Sequence, residues 1–461
     1  MRRDAIGRLL AFYVHTSAVA VISLYPGERP HLPHVPAPQA ATPEATQPDQ
    51  ARHWLDAERT SLLATVTTPA VAHGQPDYIV HLSTILFRYL NLGYWADGQK
   101  ISQQALTAAR TSGNYAAQAR ALTNLGLFTA FLGSSDEALH LEQQALSLAR
   151  GVGDRSVEAR ALLHLAIVYG RLQRYDDADS CLSECIDMAR RIGDQNCEVW
   201  ALNNLGVLRA ATGHYTDSYE LIQQCMTLAH RAGDHSGDAR WLCNVAAYHV
   251  QMRHIDEALD YAQQALTAAR TLGDMYAELQ TLDTLGLIYS QLDRNDEAQT
   301  SLELALDLCS ETCGLGEKSD VLNHLGLSCA RQNRYHEACQ HAQHALATAR
   351  MTGDRRAQAD IMNTLGYTLR LAGDLRQSLQ YHRDALAIAT HHGARDQQAR
   401  AHDGLAQAFH RQGHQEQAEQ HWQQALTIYT DLDLPESQDI AEALRSTNAS
   451  LAPPAPGSAS P

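Results

Sequence analysis

The six residues Ala121-Leu-Thr-Asn-Leu-Gly126 decide the fold, because close variants of them return every forty residues. The later copies begin at positions 161, 201, 241, 281, 321, 361 and 401, and the register does not slip across the eight of them. A fixed period of this length is typical of repeat architectures, in which each copy is one supersecondary unit. The sequence therefore predicts a repeat protein.

A second signature lies about twenty residues after the first. Ala145-Leu146 is one example, and the same register holds small and apolar pairs at 105, 185, 225, 265, 305, 345, 385 and 425. Each copy thus holds two amphipathic helices, and pairs such as Gly153-Asp154 can end one helix and N-cap the next. Because one hairpin cannot bury its apolar face alone, the copies must stack. We predict an all-α, right-handed superhelical solenoid of about nine helical hairpins.

Composition agrees with a helical protein in a reducing compartment. None of the 14 prolines lies between Asp77 and Leu434, and helix interiors exclude proline whereas turns and strand edges recruit it. The formal charge of −16 opposes a general role in binding nucleic acid or an anionic membrane. Nine scattered cysteines do not form a disulfide framework, and Cys185 and Cys225 take the alanine position of the repeat. We expect a cytoplasmic protein.

The chain divides into four predicted regions. Residues 1–76 form a helical N-terminal junction with a proline-rich loop at 26–48, residues 77–431 the solenoid, residues 432–446 a C-terminal capping helix, and residues 447–461 an Ala/Pro/Ser-rich disordered tail. The apolar stretch 9–25 contains Ala18-Val19-Ala20, which resembles a signal-peptide cleavage site. Its apolar residues recur at helical spacing and His15 interrupts them, so we favour a helix packed on its neighbours.

The sequence between the two signatures carries a family resemblance. Leu125-Gly126, then Gly133, then Asp136-Glu137-Ala138 resemble the tetratricopeptide repeat in a variant of about forty residues. The copies replace the closing proline of the short form with Leu-Ala-Arg followed by Gly-Asp. The resemblance covers about residues 77 to 430. It implies that the first helix of each repeat lines a concave groove, which binds a protein or peptide.

A second resemblance lies upstream of the repeats. The segments 9–16, 24–26 and 54–59 look like the junction that precedes the repeats in AfsR/SARP-type actinobacterial regulators with an NB-ARC nucleotide-binding module. In that family a DNA-binding domain and a nucleotide switch come before this junction, where the present sequence begins. The nearest match to a phosphate-binding loop, Gly93 to Lys100, has glutamine before the lysine and no hydroxyl side chain after it. The resemblance implies a sensor arm without its own DNA-binding or NTPase module.

The resemblance also places positions 120, 123, 124, 127 and 131 of each forty-residue copy in the groove. The first half offers arginines and asparagines, which suit carboxylates or a peptide backbone, and the second half adds aspartates. The predicted partner-binding residues are Arg120, Asn124, Arg160, Arg171, Asn203, Asn204, Arg240, Asn244, Asp283, Asn323, Arg331 and Asn363. The alternative is that these residues form a solvated face that keeps the solenoid soluble.

No catalytic residue, cofactor or metal ligand is predicted. His336, His341 and His344 lie near Cys339, but no HExxH motif is present and the spacing does not suggest convergent ligands. The leading interpretation is a non-enzymatic tetratricopeptide module that binds a protein or peptide and acts in regulation. Two alternatives stay open: a constitutive assembly scaffold or co-chaperone, and an enzyme or small-molecule binder that uses the groove.

Overall fold

The computed structural model describes residues 2–38, 42–43, 45–67, 76–312 and 314–451. Within these ranges the chain forms 21 α-helices and one 3₁₀ helix, and no strand. The N-terminal part contains α1 (Arg2–Leu24), the 3₁₀ helix (Pro26–His31) and α2 (Pro48–Thr67). The hairpins that follow are α3 (Pro76–Leu90) with α4 (Trp95–Thr111), α5 (Tyr115–Phe131) with α6 (Ser135–Val152), α7 (Arg155–Arg171) with α8 (Tyr175–Ile192), α9 (Gln195–Ala211) with α10 (Tyr215–Arg231), α11 (Asp238–Gln251) with α12 (Ile255–Leu272), α13 (Met275–Gln291) with α14 (Asn295–Thr312), α15 (Leu315–Arg331) with α16 (Tyr335–Thr352), α17 (Arg355–Leu371) with α18 (Leu375–His391), and α19 (Arg395–Arg411) with α20 (Gln415–Asp431). The chain then ends its described part in α21 (Glu436–Leu451).

These nine hairpins confirm the predicted all-α solenoid. Their joints use the expected chemistry: Gly153 ends α6 with φ +76°, and the Asp154 side chain accepts a hydrogen bond from the backbone N–H of Val157. Glycine takes a positive φ without steric cost, and an aspartate at the N-cap satisfies a backbone donor of the next helix. Cys185 and Cys225 are fully buried between helices, as their alanine register predicted. Of the nine cysteines, Cys313 lies outside the described residues.

The two helices of a hairpin approach closely where the first carries a small residue. At Gly126 a Cβ atom would lie 2.6 Å from a carboxylate oxygen of Glu142, so α5 and α6 meet only because glycine stands there. Glu142 is fully buried, and both of its carboxylate oxygens lack a hydrogen-bond donor. Burial raises the pKa of Glu142 well above its usual range and lowers the pKa of the adjacent His164 to about 3. The pair is therefore a neutral acid beside a neutral imidazole.

Replacing Glu142 with glutamine is expected to stabilise the fold above neutral pH. In the unfolded chain Glu142 ionises near its ordinary pKa, whereas the folded chain holds it protonated, so the wild type loses stability as pH rises from that value. Glutamine keeps the shape without the charge and should raise the free energy of unfolding by about 1–3 kcal/mol at pH 8, with little change at pH 4. Urea unfolding at the two pH values measures this. An equal gain at both would contradict the assignment.

Successive turns of the solenoid contact one another. The backbone N–H of Tyr276 donates to the carbonyl of Leu92 at 3.3 Å, and the Gln173 amide donates to Asp354, 181 residues further on, at 2.7 Å. Arg253 likewise pairs with Asp439, 186 residues away, at 2.7 Å. One superhelical turn thus takes about four and a half repeats, and the next turn lies against it. The concave side is therefore a lumen whose wall is formed by helices of both turns.

The N-terminal part packs on the first hairpin. Leu10, Val14 and Val21 of α1 are fully buried in a core shared with α2, α3 and α4. In the part of the chain that the structure describes, the stretch Ile6–Leu24 is the one helix long and apolar enough to cross a membrane.

At the C-terminal end, α21 runs to Leu451, five residues beyond the predicted end at 446, and residues 452–461 of the predicted tail lie outside the described residues. The four-region division stays a prediction.

Candidate functional site

The lumen contains two adjoining cavities, of about 540 Å³ and 740 Å³. Their walls come mainly from the first helices of the hairpins, α3 to α19, as the groove register implies. Six residues line both cavities: Val207, Ala211, Asn244, Asp320, Asp354 and Arg356. We call the two cavities together the lumen site, the smaller one its basic half and the larger one its acidic half.

The basic half is organised around a carboxylate from outside the repeats. Glu28, in the 3₁₀ helix, is only 5% exposed and lies 3.4 Å from the nearest guanidinium nitrogens of Arg88 and Arg160. The Asn196 amide donates to the same carboxylate at 2.9 Å. The Glu28 carboxylate is thus shared between the two arginines. The Arg88 guanidinium also stacks on the Trp200 ring, 4.4 Å from its centroid. The basic half keeps an excess of hydrogen-bond donors for carboxylate or carbonyl oxygens.

The other arginines of the basic half are fixed by ion pairs. Arg171 lies 2.9 Å from Glu317 across the lumen, and Arg240 lies 2.8 Å from Asp274. Burial disfavours each charge, but the facing carboxylate outweighs it and raises the pKa of both Arg171 and Arg240. Asn91 lies beside them, 7% exposed, and its side-chain amide oxygen Oδ1 has no hydrogen-bond donor. The ion pairs therefore hold these polar side chains in place on the wall of the cavity before any partner binds.

The acidic half gathers carboxylates from α15, α17, α19 and α21. Its charged lining comprises Asp320, Asp354, Asp360, Asp396 and Glu436 against His324, Arg356 and Arg400. Asp320 keeps surface open to the cavity, yet the surrounding turns desolvate it, and Asp283 and Asp354 add repulsion, so its pKa is raised well above the usual range. Burial would lower the pKa of His324, but a 2.7 Å contact with Asp283 and the neighbouring carboxylates raise it to about 9. This half attracts cations.

Half of the twelve predicted partner-binding residues line the basic half: Arg160, Arg171, Asn203, Asn204, Arg240 and Asn244. Asn323 lines the acidic half at 2% exposure, and Arg120 lies with Arg160 and His31 in a side cavity of about 120 Å³. Asn124, Asp283, Arg331 and Asn363 line neither half.

These four side chains point sideways, at neighbouring helices of the lumen wall. Asn124 donates to the Ser83 carbonyl at 3.4 Å and Arg331 to the Ser290 carbonyl at 3.2 Å, each 41 residues back. Asp283 accepts from His324, also 41 residues away. The buried Asn363 amide reaches the Gln397 carbonyl at 3.1 Å, 34 residues on. Three of these four hydrogen bonds thus join first helices of adjacent hairpins at a spacing of one repeat plus one residue.

Sequence reasoning missed a lumen-facing position in the first turn of five first helices, α9, α13, α15, α17 and α19. That register holds Asn196, Tyr276, Gly316, Arg356 and Asp396, and all five line the lumen site. The copies differ in size and charge at this position, whereas they agree at the packing positions, and this contrast was readable in the sequence. Glu28 and Arg88 had no comparable signal, because they meet the lumen only through tertiary contacts.

Comparison with protein families identifies the repeats. A model described as tetratricopeptide repeat matches residues 157–218, 198–271 and 317–391, and a second of the same description matches residues 279–312. The chain contains tetratricopeptide repeats. A model of anaphase-promoting complex subunit 5 matches residues 103–158. No curated protein matches the sequence.

Solved structures share the arrangement of these tetratricopeptide repeats. A Rap protein complexed with competence and sporulation factor aligns with 72% of this chain and 98% of its own, at 12% identity and a TM-score of 0.51. The apo quorum sensor NprR from B. thuringiensis aligns with 73% and 97%, at 12% identity and a TM-score of 0.50. A STAND protein with a tetratricopeptide sensor from Pyrococcus horikoshii aligns with 87% and 72%, at 13% identity and a TM-score of 0.43. At these identities the likeness to the Rap protein and to NprR is one of fold.

Proposed function

We propose that the lumen site binds a protein or peptide segment, and that the chain acts in regulation as a sensor arm of the kind found in AfsR/SARP-type regulators. The observation that carries the proposal is the two-sided charge of the lumen site. Its basic half offers guanidinium and amide donors, and its acidic half offers carboxylates. An extended peptide carries matching groups along its backbone, side chains and ends.

The comparisons add support of a general kind. The Rap protein, which shares this fold, has been solved with competence and sporulation factor. We infer that the present chain also binds a partner, on its concave side, and that it is a cytoplasmic protein that has no catalytic role and needs neither nucleic acid nor a membrane as its partner. A constitutive scaffold or co-chaperone would bind the same partner under all conditions. Occupancy that follows a growth signal would favour the sensor.

Val207→Trp is expected to block the lumen site without disturbing the fold. Val207 lines both halves and is 45% exposed, so an indole there would project into the lumen rather than into packed core. Capture of the partner from native lysate should fall by about tenfold or more, corresponding to a loss of at least about 1.4 kcal/mol. Quantitative mass spectrometry of the captured protein measures it.

The matched control is Val152→Trp. Val152 ends α6 and is 43% exposed, so the same substitution at similar exposure lies outside the lumen site. It should leave capture unchanged. Equal recovery by both variants would contradict binding in the lumen. Charge reversal of Arg160 or Arg240 is a poorer test, because each already faces a carboxylate of the chain itself.

A small molecule is the second candidate ligand, because the basic half has the size of an ordinary ligand cavity. Its volume of about 540 Å³ lies within the range of roughly 300–1,000 Å³ usual for such sites. A thermal-shift screen against metabolites tests this candidate. A saturable stabilisation present in the wild type and absent from the Val207→Trp variant would favour it over a peptide.

A further inference from the structure

A recurring ion pair joins the second helix of one hairpin to the first helix of the next. Arg150–Glu158, Arg190–Glu198 and Arg270–Glu278 each pair across eight residues, at 2.8, 2.7 and 2.8 Å. The joint between α10 and α11 carries His230 and Asp238 at the same register, 2.6 Å apart. The position of the pair is kept there, but the arginine and glutamate are replaced by histidine and aspartate.

A second histidine converges on the same aspartate. His235 Nδ1 lies 2.9 Å from the second carboxylate oxygen of Asp238, where Arg155 contacts Glu158 in the earlier copy. The two imidazole rings are 4.5 Å apart. One imidazole nitrogen of each histidine and one carboxylate oxygen all lie within 4.8 Å of one another. In the earlier copy the three positions hold two arginines and a glutamate, which are joined by ion pairs.

The backbone of this joint departs from the repeat in a way that brings His235 into the cluster. The first helices α9 and α13 begin at Gln195 and Met275, whereas α11 begins three register positions late, at Asp238. Asp234 does not cap the helix; its side chain accepts from the backbone N–H of Ser236 and closes a turn. His235 therefore lies in the turn that precedes α11, whereas Gln195 and Met275 lie in the first turn of their helices.

We propose that His230, His235 and Asp238 bind a divalent transition metal ion, with Zn²⁺ as the expected occupant. Two imidazole nitrogens and one carboxylate oxygen are a usual zinc ligand set, and water completes the coordination in three-ligand sites. The three side chains are 37%, 65% and 19% exposed, which leaves room for that water. The ion would take over the bridging now done by hydrogen bonds and tie α10 to α11. The site lies outside the lumen site and does not depend on the function proposed for it.

Calorimetric titration of the full chain with ZnCl₂ tests the proposal. The wild type should bind one Zn²⁺, and its melting temperature should rise with Zn²⁺ because only the folded chain brings the three ligands together. The decisive variant is His230→Arg/His235→Arg/Asp238→Glu, which recreates the Arg150, Arg155 and Glu158 set and keeps the joint closed by ion pairs. It should weaken Zn²⁺ binding by more than about 10-fold, the loss that even an outer-shell partner causes.

Two further variants keep the result interpretable. His235→Ala removes a single exposed ligand in a turn and should also weaken binding if the triple variant is unstable. His336→Gln/His344→Gln removes two exposed histidines of α16 and should leave the affinity unchanged. Zn²⁺ affinity that is the same in the wild type and in the variants of the cluster, or a wild type that binds no Zn²⁺, would overturn the proposal.

Discussion

Trp95→Ala is expected to lower the free energy of unfolding by about 3–5 kcal/mol, the range for truncating a large buried aromatic. Trp95 is 1% exposed, stacks on Phe131 with ring centroids 4.7 Å apart, and meets the edge of Tyr276 at 5.3 Å. Tyr276 lies in α13, one superhelical turn later. The indole therefore fills the contact between two turns as well as the core of its own hairpin.

Because Trp95 contacts Tyr276 of the next superhelical turn, its loss should be detectable in a helix far from position 95 in the sequence. Hydrogen exchange in the Trp95→Ala variant should accelerate in α13 as well as in α4, although the two helices are more than four repeats apart. Trp95→Phe is the matched control: it keeps an aromatic ring and removes an indole N–H that has no acceptor, so it should lose much less stability. Exchange that changes only in α4 and α5 would contradict a packed contact between the turns.

The repeat and its joints could be predicted from the sequence because they depend on neighbours within forty residues. Glycine caps and the aspartate that follows them act on adjacent backbone groups, so Gly153-Asp154 folds as its local chemistry requires. Gly233-Asp234 has the same two letters, yet Asp234 closes a turn and the helix starts later. The pattern fixes the place of a joint more firmly than its geometry.

The lumen site was less predictable, because its shape depends on the small rotation between repeats. A slight change per hairpin accumulates over a superhelical turn and decides which residues meet, so no local pattern places Glu28 beside Arg88 and Arg160. The side chains at a given register can face either the lumen or the next helix. Asn124 bonds to the neighbouring helix while Asn204 lines the cavity, and the forty-residue pattern alone did not separate the two.

The second large effect concerns Arg240, whose replacement by methionine should cost about 3–5 kcal/mol. Arg240 lies 2.8 Å from Asp274 and donates at 2.9 Å to the Asn91 carbonyl, which belongs to the previous superhelical turn. The Arg240 and Asp274 side chains are 14% and 3% exposed. Methionine fills similar volume but leaves a buried carboxylate without its cation and a buried carbonyl without its donor. Urea unfolding measures the loss.

Arg270→Met supplies the matched comparison. The Arg270–Glu278 pair is also 2.8 Å long, but its arginine is 54% exposed and its loss should cost no more than about 1 kcal/mol. A second comparison separates the stranded charge from lost packing: adding Asp274→Asn to Arg240→Met removes the unpaired carboxylate while an amide oxygen can still accept from the Ala277 N–H. The double variant should recover at least half of the stability that Arg240→Met loses, because the buried charge is the larger part of the penalty. A double variant as unstable as Arg240→Met would instead assign the loss to the bond with Asn91 and to the contact between the turns.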